Sequence, residues 1–215
     1  MVTHYIHRGL AKKKLKENSL AAFKYSFKKG YGIETDIHCT KDNKIICFHD
    51  FNLKNKFKVN KRIKDTNYKE IKKISLKFNS KVPLLDDLLK LNRSKFPLMI
   101  ELKTIFSKKN LISLINKIKN CKNFSLTSFH ERNLINLYKL KKSLTLGIIF
   151  SSLAKIKQFR NKSKKKYIKL LVAEKKFLKY SQLDKLKVPV YYYTAKGKNI
   201  FEKYKYNKNL IFENL

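Results

Sequence analysis

The sequence predicts an α/β protein built as a compact (β/α)8 TIM barrel, with a β-hairpin inserted after the second strand and a final helix that is reduced or absent. Two observations lead there. Short apolar, β-branched runs alternate with longer amphipathic, lysine-rich segments along the whole chain. Setting one extended run aside as the returning arm of a hairpin leaves eight strands in 215 residues, each except the last followed by a helix. No Gly-x-Gly-x-x-Gly follows the first strand, which weakens any dinucleotide reading, and a doubly wound open sheet is the structural competitor.

The elements read in order as follows. VTHYIH (2–7) is a strand and ENSLAAFKYSFKKG (17–30) a helix, with Leu20, Ala21, Phe23 and Phe27 giving the spacing of a buried face. GIETDIH is the second strand, and the turn residues Lys41, Asp42 and Asn43 send the chain back along KIICFHD as a hairpin arm. VPLLDDLLKLN (82–92) is helical and PLMIELK (97–103) extended. The next pairs are helix 110–120 with strand NFSLTSF (123–129), and helix ERNLINLYKLKK with strand LTLGIIF (144–150). Helix LAKIKQFRNK with strand YIKLLVAE (167–174), and helix FLKYSQLDKLK with strand VPVYYYT (188–194), follow. Helix KNIFEKYKY and strand NLIFEN (209–214) complete the series. No linker or low-complexity tail interrupts it, so residues 1–215 read as one domain.

Hydrophobic content of 43% and aromatic content of 13% exclude a disordered polycation. The 52 Lys and Arg against 15 Asp and Glu give a net charge of +37. Lys, Asn and Ile are abundant everywhere, so compositional drift accounts for much of this charge. It would still favour nucleic acid, anionic lipid or phosphorylated metabolites as ligands, and a peripheral contact with an anionic membrane surface. Cys39, Cys47 and Cys121 have no metal-like spacing and cannot all pair. The N-terminus lacks the apolar core of a signal peptide, and no apolar run approaches a membrane span. A cytoplasmic location is the expectation. Nothing in the sequence points to an oligomeric state.

In a barrel the catalytic groups lie where strands end. His7 and Arg8 end the first strand, and Glu34 and Asp36, two apart, share one face of the second. Glu101 and Lys103 repeat that spacing on the next barrel strand, and His49 ends the hairpin arm. Three inward carboxylates repel one another, and a hard cation such as Mg²⁺ or Ca²⁺ resolves this. With two imidazoles beside it, such a site suits phosphoryl chemistry: one removes a proton or attacks phosphorus, the other protonates the leaving alcohol. Arg8 and Lys103 would hold phosphate oxygens. Tyr191, Tyr192 and Tyr193 read as core, with a substrate slot as the alternative.

These motifs resemble the glycerophosphodiester phosphodiesterase family, within the phospholipase-C-like phosphodiesterase barrels. The resemblance rests on His7-Arg8-Gly9, ENSLAAF (17–23), Glu34-Thr35-Asp36-Ile37, Thr40-Lys41-Asp42-Asn43 and His49-Asp50. IKDTNYKEIKKISL (63–76), VPLLDDLL (82–89), IELK (100–103) and SFHERNL (128–134) extend it. It implies metal-dependent hydrolysis of glycerophosphodiesters to glycerol 3-phosphate and an alcohol. Glu34, Asp36 and Glu101 would be the metal ligands, His7 and His49 the acid/base pair, and Arg8 and Lys103 the phosphate-binding cations. Departures are Asn43 for a turn glycine, Leu84 for threonine, Tyr193-Thr194-Ala195-Lys196 for a Trp-Thr-Val-Asn run, and LIFENL for a Gly-rich last strand with Thr-Asp.

Two other functions compete. One is a different reaction at the same site, cleaving lysophospholipids or cyclising the phosphodiester. The other is non-catalytic binding of phosphate or nucleic acid through lysine runs such as 12–14 and KSKKK at 162–166. Glu34, Asp36 and Glu101 argue against nucleic acid, because they would repel it.

Overall fold

The structure is a computed structural model and describes residues 2–10, 12 and 14–214. Of the lysine run at 12–14, Lys13 therefore lies outside the described residues. In chain order the first half contains β1 (Tyr5–His7), α1 (Leu20–Lys28), β2 (Gly32–Cys39), β3 (Ile45–Cys47), α2 (Lys54–Phe57), α3 (Tyr68–Leu76), α4 (Leu85–Asn92), β4 (Leu98–Leu102) and α5 (Lys108–Ile118). The second half contains β5 (Phe124–Ser128), α6 (Glu131–Leu140), β6 (Leu146–Phe150), α7 (Ile156–Ser163), β7 (Leu170–Glu174), β8 (Val190–Lys196), α8 (Lys198–Tyr204) and β9 (Asn209–Glu213).

The sheet runs β1-β9-β8-β7-β6-β5-β4-β2, and β1 also pairs with β2, so eight parallel strands close into a barrel. β3 lies outside it, antiparallel to β2, with Ile37 opposite Cys47 and Cys39 opposite Ile45. This is the expected barrel with its hairpin. The hairpin turn places Asn43 at φ 57°, a left-handed conformation that asparagine tolerates in place of glycine. Among the described residues no helix follows β9. No described helix is long and apolar enough to cross a membrane.

Strands of a closed parallel sheet are buried on both faces, so their residues divide between two cores. Ile6, Ile33, Ile37, Ile100, Leu126, Ile148, Leu171, Tyr192 and Phe212 pack outward against the helices. Tyr5, Met99, Ile149, Leu170, Val172 and Ile211 fill the lumen, with Tyr191 and Tyr193 against them. The three consecutive tyrosines thus alternate: Tyr192 is core, and Tyr193 faces the lumen. Gly147 leaves room for this filling, because a Cβ there would stand 2.3 Å from Leu170 Cδ1. In the outer layer Phe150 stacks on Phe159 of α7 at 3.9 Å. Phe159 is fully buried, and its truncation to Ala would cost about 3–5 kcal/mol.

Two segments differ from expectation. FLKYSQLDKLK is not an α-helix but two 3₁₀ turns, Lys175–Lys179 and Ser181–Leu183. Its apolar residues Phe177, Tyr180, Leu183 and Leu186 recur every three positions, the period of a 3₁₀ turn rather than of an α-helix. The stretch from β3 to α4 is also more structured than expected. α2, α3 and a 3₁₀ turn at Ile63–Asp65 enclose a satellite core of Ile46, Phe48, Leu53, Phe57, Ile63, Ile71 and Val82. At the start of α4, Leu84 has no side-chain oxygen, so only Asp87 caps, accepting from the Leu84 N–H at 3.2 Å.

Candidate active site

Because the eight barrel strands are parallel, their C-terminal ends share one mouth, and strand register decides which side chains meet there. His7 lies beside Glu34, and Asp36 beside Glu101. The turn after β1 is sharp: Arg8 has φ 51° and Gly9 φ 72°. A Cβ on Gly9 would lie 2.9 Å from Phe23 of α1, so glycine is needed for the close approach as well as the turn.

Glu34, Asp36 and Glu101 are all buried, and each offers an oxygen within 4.8 Å of the others. Two cations enter the cluster. Lys103 Nζ is 2.8 Å from Glu101 Oε1 and 3.4 Å from Asp36 Oδ1, and Arg8 Nε is 3.2 Å from Asp36 Oδ2. Both are ion pairs by distance, but neither has hydrogen-bond geometry, so Glu101 Oε1 and Arg8 Nε lack a hydrogen-bond partner. Three carboxylates thus share two cations. Burial, with Asp36 and Glu101 nearby, drives the Glu34 carboxyl well above its ordinary range. Burial and Asp36 push Glu101 up to about 7. Burial also acts to raise Asp36, but Arg8 and Lys103 outweigh it and hold that carboxyl low. An all-oxygen, buried, under-neutralised donor set with one oxygen lacking a donor fits a hard divalent cation.

His7 Nδ1 is 2.9 Å from Glu213 Oε2, and its Nε2 is 4.0 Å from Glu34 Oε2. The His7 hydrogen bond, followed by that of Lys196, lowers the Glu213 carboxyl to about 2, so it is an ionised acceptor. We therefore assign the proton of neutral His7 to Nδ1, which leaves the Nε2 lone pair facing the carboxylates. Burial, which outweighs Glu213, keeps His7 below the usual histidine range and hence neutral at pH 7. His49, on the loop after β3, has the same arrangement: its Nδ1 is 2.9 Å from Asp50 Oδ1. His38 is buried and neutral, lowered to about 4 by burial, and its Nε2 donates to the His49 carbonyl at 3.1 Å. The ring thus anchors the backbone that carries His49.

Of the seven residues expected at the site, His7 ends β1, Glu101 is next to the end of β4, and Arg8, Lys103 and His49 lie in the loops after β1, β4 and β3. Glu34 and Asp36 instead lie within β2, which runs on to Cys39. His7, Arg8, Glu34, Asp36, Glu101 and Lys103 form one connected cluster, and His49 stands on the adjoining loop. Arg8 and Lys103, expected on phosphate, are held here by carboxylates. Arg8 also donates through Nη1 to Glu17 at 2.8 Å, and its backbone N–H donates to Glu34 at 3.3 Å. Sequence reasoning missed Glu17, Asn18 and Glu213. Asn18 is buried at φ 50° and donates to Asp36 Oδ2 at 3.0 Å while accepting from Thr35 at 2.7 Å. The available signal was ENSL before α1, which is more than a helix start: Glu17 takes Arg8, Asn18 takes Asp36, and Ser19 caps by accepting from the Ala22 N–H.

A narrow pocket opens beside the cluster, lined by His7, Glu34 and Glu101 above Met99, Thr127, Ile149, Val172 and Ile211. Tyr193 forms one wall and donates to the Phe150 carbonyl at 3.0 Å. The site therefore joins a charged upper rim to an apolar floor.

Residues 7–203 match the model of the glycerophosphoryl diester phosphodiesterase family. The chain is 30% identical over 166 residues to a glycerophosphodiester phosphodiesterase of Bacillus altitudinis, covering 69% of this chain and 66% of that protein. It is 44% identical over 69 residues to a lysophospholipase D of Homo sapiens, covering 32% of this chain and 22% of the relative. The matched stretches thus span two thirds or less of these relatives. Its fold is similar to the crystal structure of a Thermotoga maritima glycerophosphodiester phosphodiesterase, with TM-score 0.81, 22% identity, and 99% and 94% of the two chains covered. It is also similar to an Oleispira antarctica phosphodiesterase in complex with the product sn-glycerol-3-phosphate, with TM-score 0.83, 18% identity, and 98% and 92% covered. With the family model matched over most of its length and the motif residues gathered at one barrel mouth, this chain belongs to the glycerophosphoryl diester phosphodiesterase family.

Proposed function

We propose that the protein is a divalent-metal-dependent phosphoric diester hydrolase that cleaves glycerophosphodiesters to glycerol 3-phosphate and an alcohol. The observation that carries this reading is the convergence of Glu34, Asp36 and Glu101 within 4.8 Å, with His7 Nε2 4.0 Å from Glu34. The three carboxylates would hold Mg²⁺ or Ca²⁺, which when bound supplies positive charge for the phosphoryl oxygens. Once those carboxylates are shared, Arg8 and Lys103 are no longer their sole counter-charges and can meet the oxygens of an incoming phosphodiester.

His7, neutral and with Nε2 unprotonated, is the base that takes a proton from the attacking water, whose oxygen joins phosphorus as the bond to the leaving alcohol breaks. Glu213 stabilises the positive charge that His7 then gains. His49 is the acid that protonates the leaving alcohol, with Asp50 holding its ring. Tyr193 and the apolar floor exclude water from one side of the pocket. We further propose that residues 1–215 act as one catalytic domain in the reducing cytoplasm, a location supported by three free cysteines.

The test is hydrolysis of glycerophosphocholine, glycerophosphoethanolamine and lysophosphatidylcholine, measured side by side with and without EDTA. His7→Ala, His49→Ala and Glu34→Ala should each lose at least about 100-fold in kcat. Full activity in EDTA, or in all three variants, would refute the mechanism. Cleavage of the lyso-lipid alone would move the substrate from soluble diesters to lipid.

A further inference from the structure

Nine large hydrophobic side chains are exposed among the described residues; three sit on loops leaving the C-terminal ends of barrel strands, and a fourth, on the loop after the antiparallel β3, packs against His38 near the end of β2. Phe51 (57% exposed) follows β3, Ile105 (51%) follows β4, Phe129 (42%) follows β5 and Leu153 (89%) follows β6. The order β6-β5-β4 of parallel strands makes three of these loops neighbours, and the packing of Phe51 on His38 of the adjoining β2 adds the fourth, so the four side chains form one arc of the rim. Two of them touch the site. Phe51 packs edge-on against His38 at 5.5 Å, and Phe129 lies 5.9 Å from Lys103 Nζ and 6.4 Å from the Tyr193 ring. At the opposite end of the barrel, the loops entering the strands carry one such residue, Tyr206 (82%).

Lysine does not distinguish the two ends. Lys54, Lys108 and Lys155 are exposed near the arc, but Lys165 and Lys185 are exposed at the far end. Among the described residues the mouth sets four apolar prominences in cationic surroundings, and the far end one, Tyr206. That combination is the chemistry of an interfacial surface: apolar side chains enter the boundary between headgroup and acyl chain while lysines meet the anionic headgroups. With a net charge of +37 the complementary partner is an anionic bilayer.

We propose that this arc is a membrane-docking face, which seats the barrel mouth on an anionic phospholipid bilayer with Phe51, Ile105, Phe129 and Leu153 in the interfacial layer. Docking would let a diester enter the pocket from the lipid side. That purpose rests on the phosphodiesterase reading, whereas the docking itself does not.

The chain contains no tryptophan, so a single introduced one reports its own surroundings. Leu153→Trp and Tyr206→Trp place the reporter at opposite ends, both highly exposed and both among lysines. On adding vesicles rich in phosphatidylglycerol at about 0.15 M salt, where exposed charges are partly screened, Leu153→Trp emission should shift to the blue while Tyr206→Trp emission stays unchanged. The double variant Ile105→Ser/Leu153→Ser, unchanged in charge, should bind the same vesicles about tenfold more weakly in sedimentation. It should still cleave a soluble glycerophosphodiester at the wild-type rate, since neither residue belongs to the catalytic cluster. No shift at Leu153→Trp, equal shifts at both positions, or undiminished binding by the double variant would overturn the docking proposal. Vesicle binding through position 153 by a protein that cleaves no diester would leave docking standing and remove the catalytic reading instead.

Discussion

His7 Nδ1 and Glu213 Oε2 lie 2.9 Å apart although 206 positions separate them in the chain. Closing the barrel brings the first strand beside the last, and with it an imidazole beside a buried carboxylate. A glutamine at 213 can offer its amide donor to Nδ1, which would favour the tautomer with hydrogen on Nε2. We expect Glu213→Gln to lower kcat roughly 10- to 100-fold with KM little changed. An unchanged kcat on a glycerophosphodiester would remove Glu213 from the catalytic arrangement.

The same residue has a signature in acid. Its carboxyl is lowered to about 2, chiefly by His7 and then Lys196, from an ordinary value of 4.5. A depressed carboxylate stabilises the fold above its unfolded pKa and loses that contribution as pH falls through the folded one. Wild type should therefore exceed Glu213→Gln by about 1–2 kcal/mol in urea unfolding at pH 6, after allowance for the exposed Lys196 partner. The gap should close between about pH 4.5 and 2.

If Glu34 is a metal ligand as proposed, it trades stability for that role. Its carboxyl is driven well above the ordinary range by burial and by Asp36 and Glu101, so its ionised form opposes folding at neutral pH. In EDTA, Glu34→Gln should be more stable than wild type by about 1 kcal/mol. Adding Mg²⁺ or Ca²⁺ at about 100 times its Kd should raise wild-type stability by about 2.7 kcal/mol and leave the variant nearly unmoved. Thermal melts in both conditions check this, and a variant stabilised as much as wild type would exclude Glu34 as a ligand.

Asn18 donates to Asp36, accepts from Thr35, and through its N–H holds the Arg8 carbonyl at 2.9 Å. Asn18→Ala keeps the backbone bond but leaves Thr35 and Asp36 short of buried partners. We expect a loss of about 1–3 kcal/mol in stability and a 10- to 100-fold weaker response to added metal. A variant that melts and responds like wild type would reduce Asn18 to loop geometry alone.

His38 bonds to the backbone that carries His49. Removing its donation to the His49 carbonyl in His38→Phe keeps a ring for Phe51 to pack against but frees the loop. We expect kcat to fall about tenfold, with a smaller change in KM, in steady-state assays. A change in KM alone would make His38 a packing residue.

Much of the barrel was legible because its physics is local. Ile33, Ile37, Ile100 and Leu126 mark buried strands, and the 3, 4 and 7 spacing of Leu20, Phe23 and Phe27 marks α1. The reading failed where a local pattern had two solutions. Between β7 and β8, lysine-rich amphipathic sequence suggested an α-helix, whereas apolar residues every three positions folded as 3₁₀ turns. Between β3 and α4 the satellite core was invisible because Ile46, Ile63 and Val82 share no period; they meet only after the chain has turned twice.

The sequence by itself determined which strands carry the acidic, imidazole and cationic groups proposed for the site. Two-residue spacing puts Glu34 with Asp36, and Glu101 with Lys103, on single strand faces. Tertiary structure alone decided the partnerships. It set Asp36 opposite Glu101, gave Arg8 to Glu17 and Asp36, and delivered Glu213 to His7. The reason is physical: side-chain alternation is a property of one strand, whereas the spacing between charges depends on parallel register and barrel closure, which join residues that no local pattern relates.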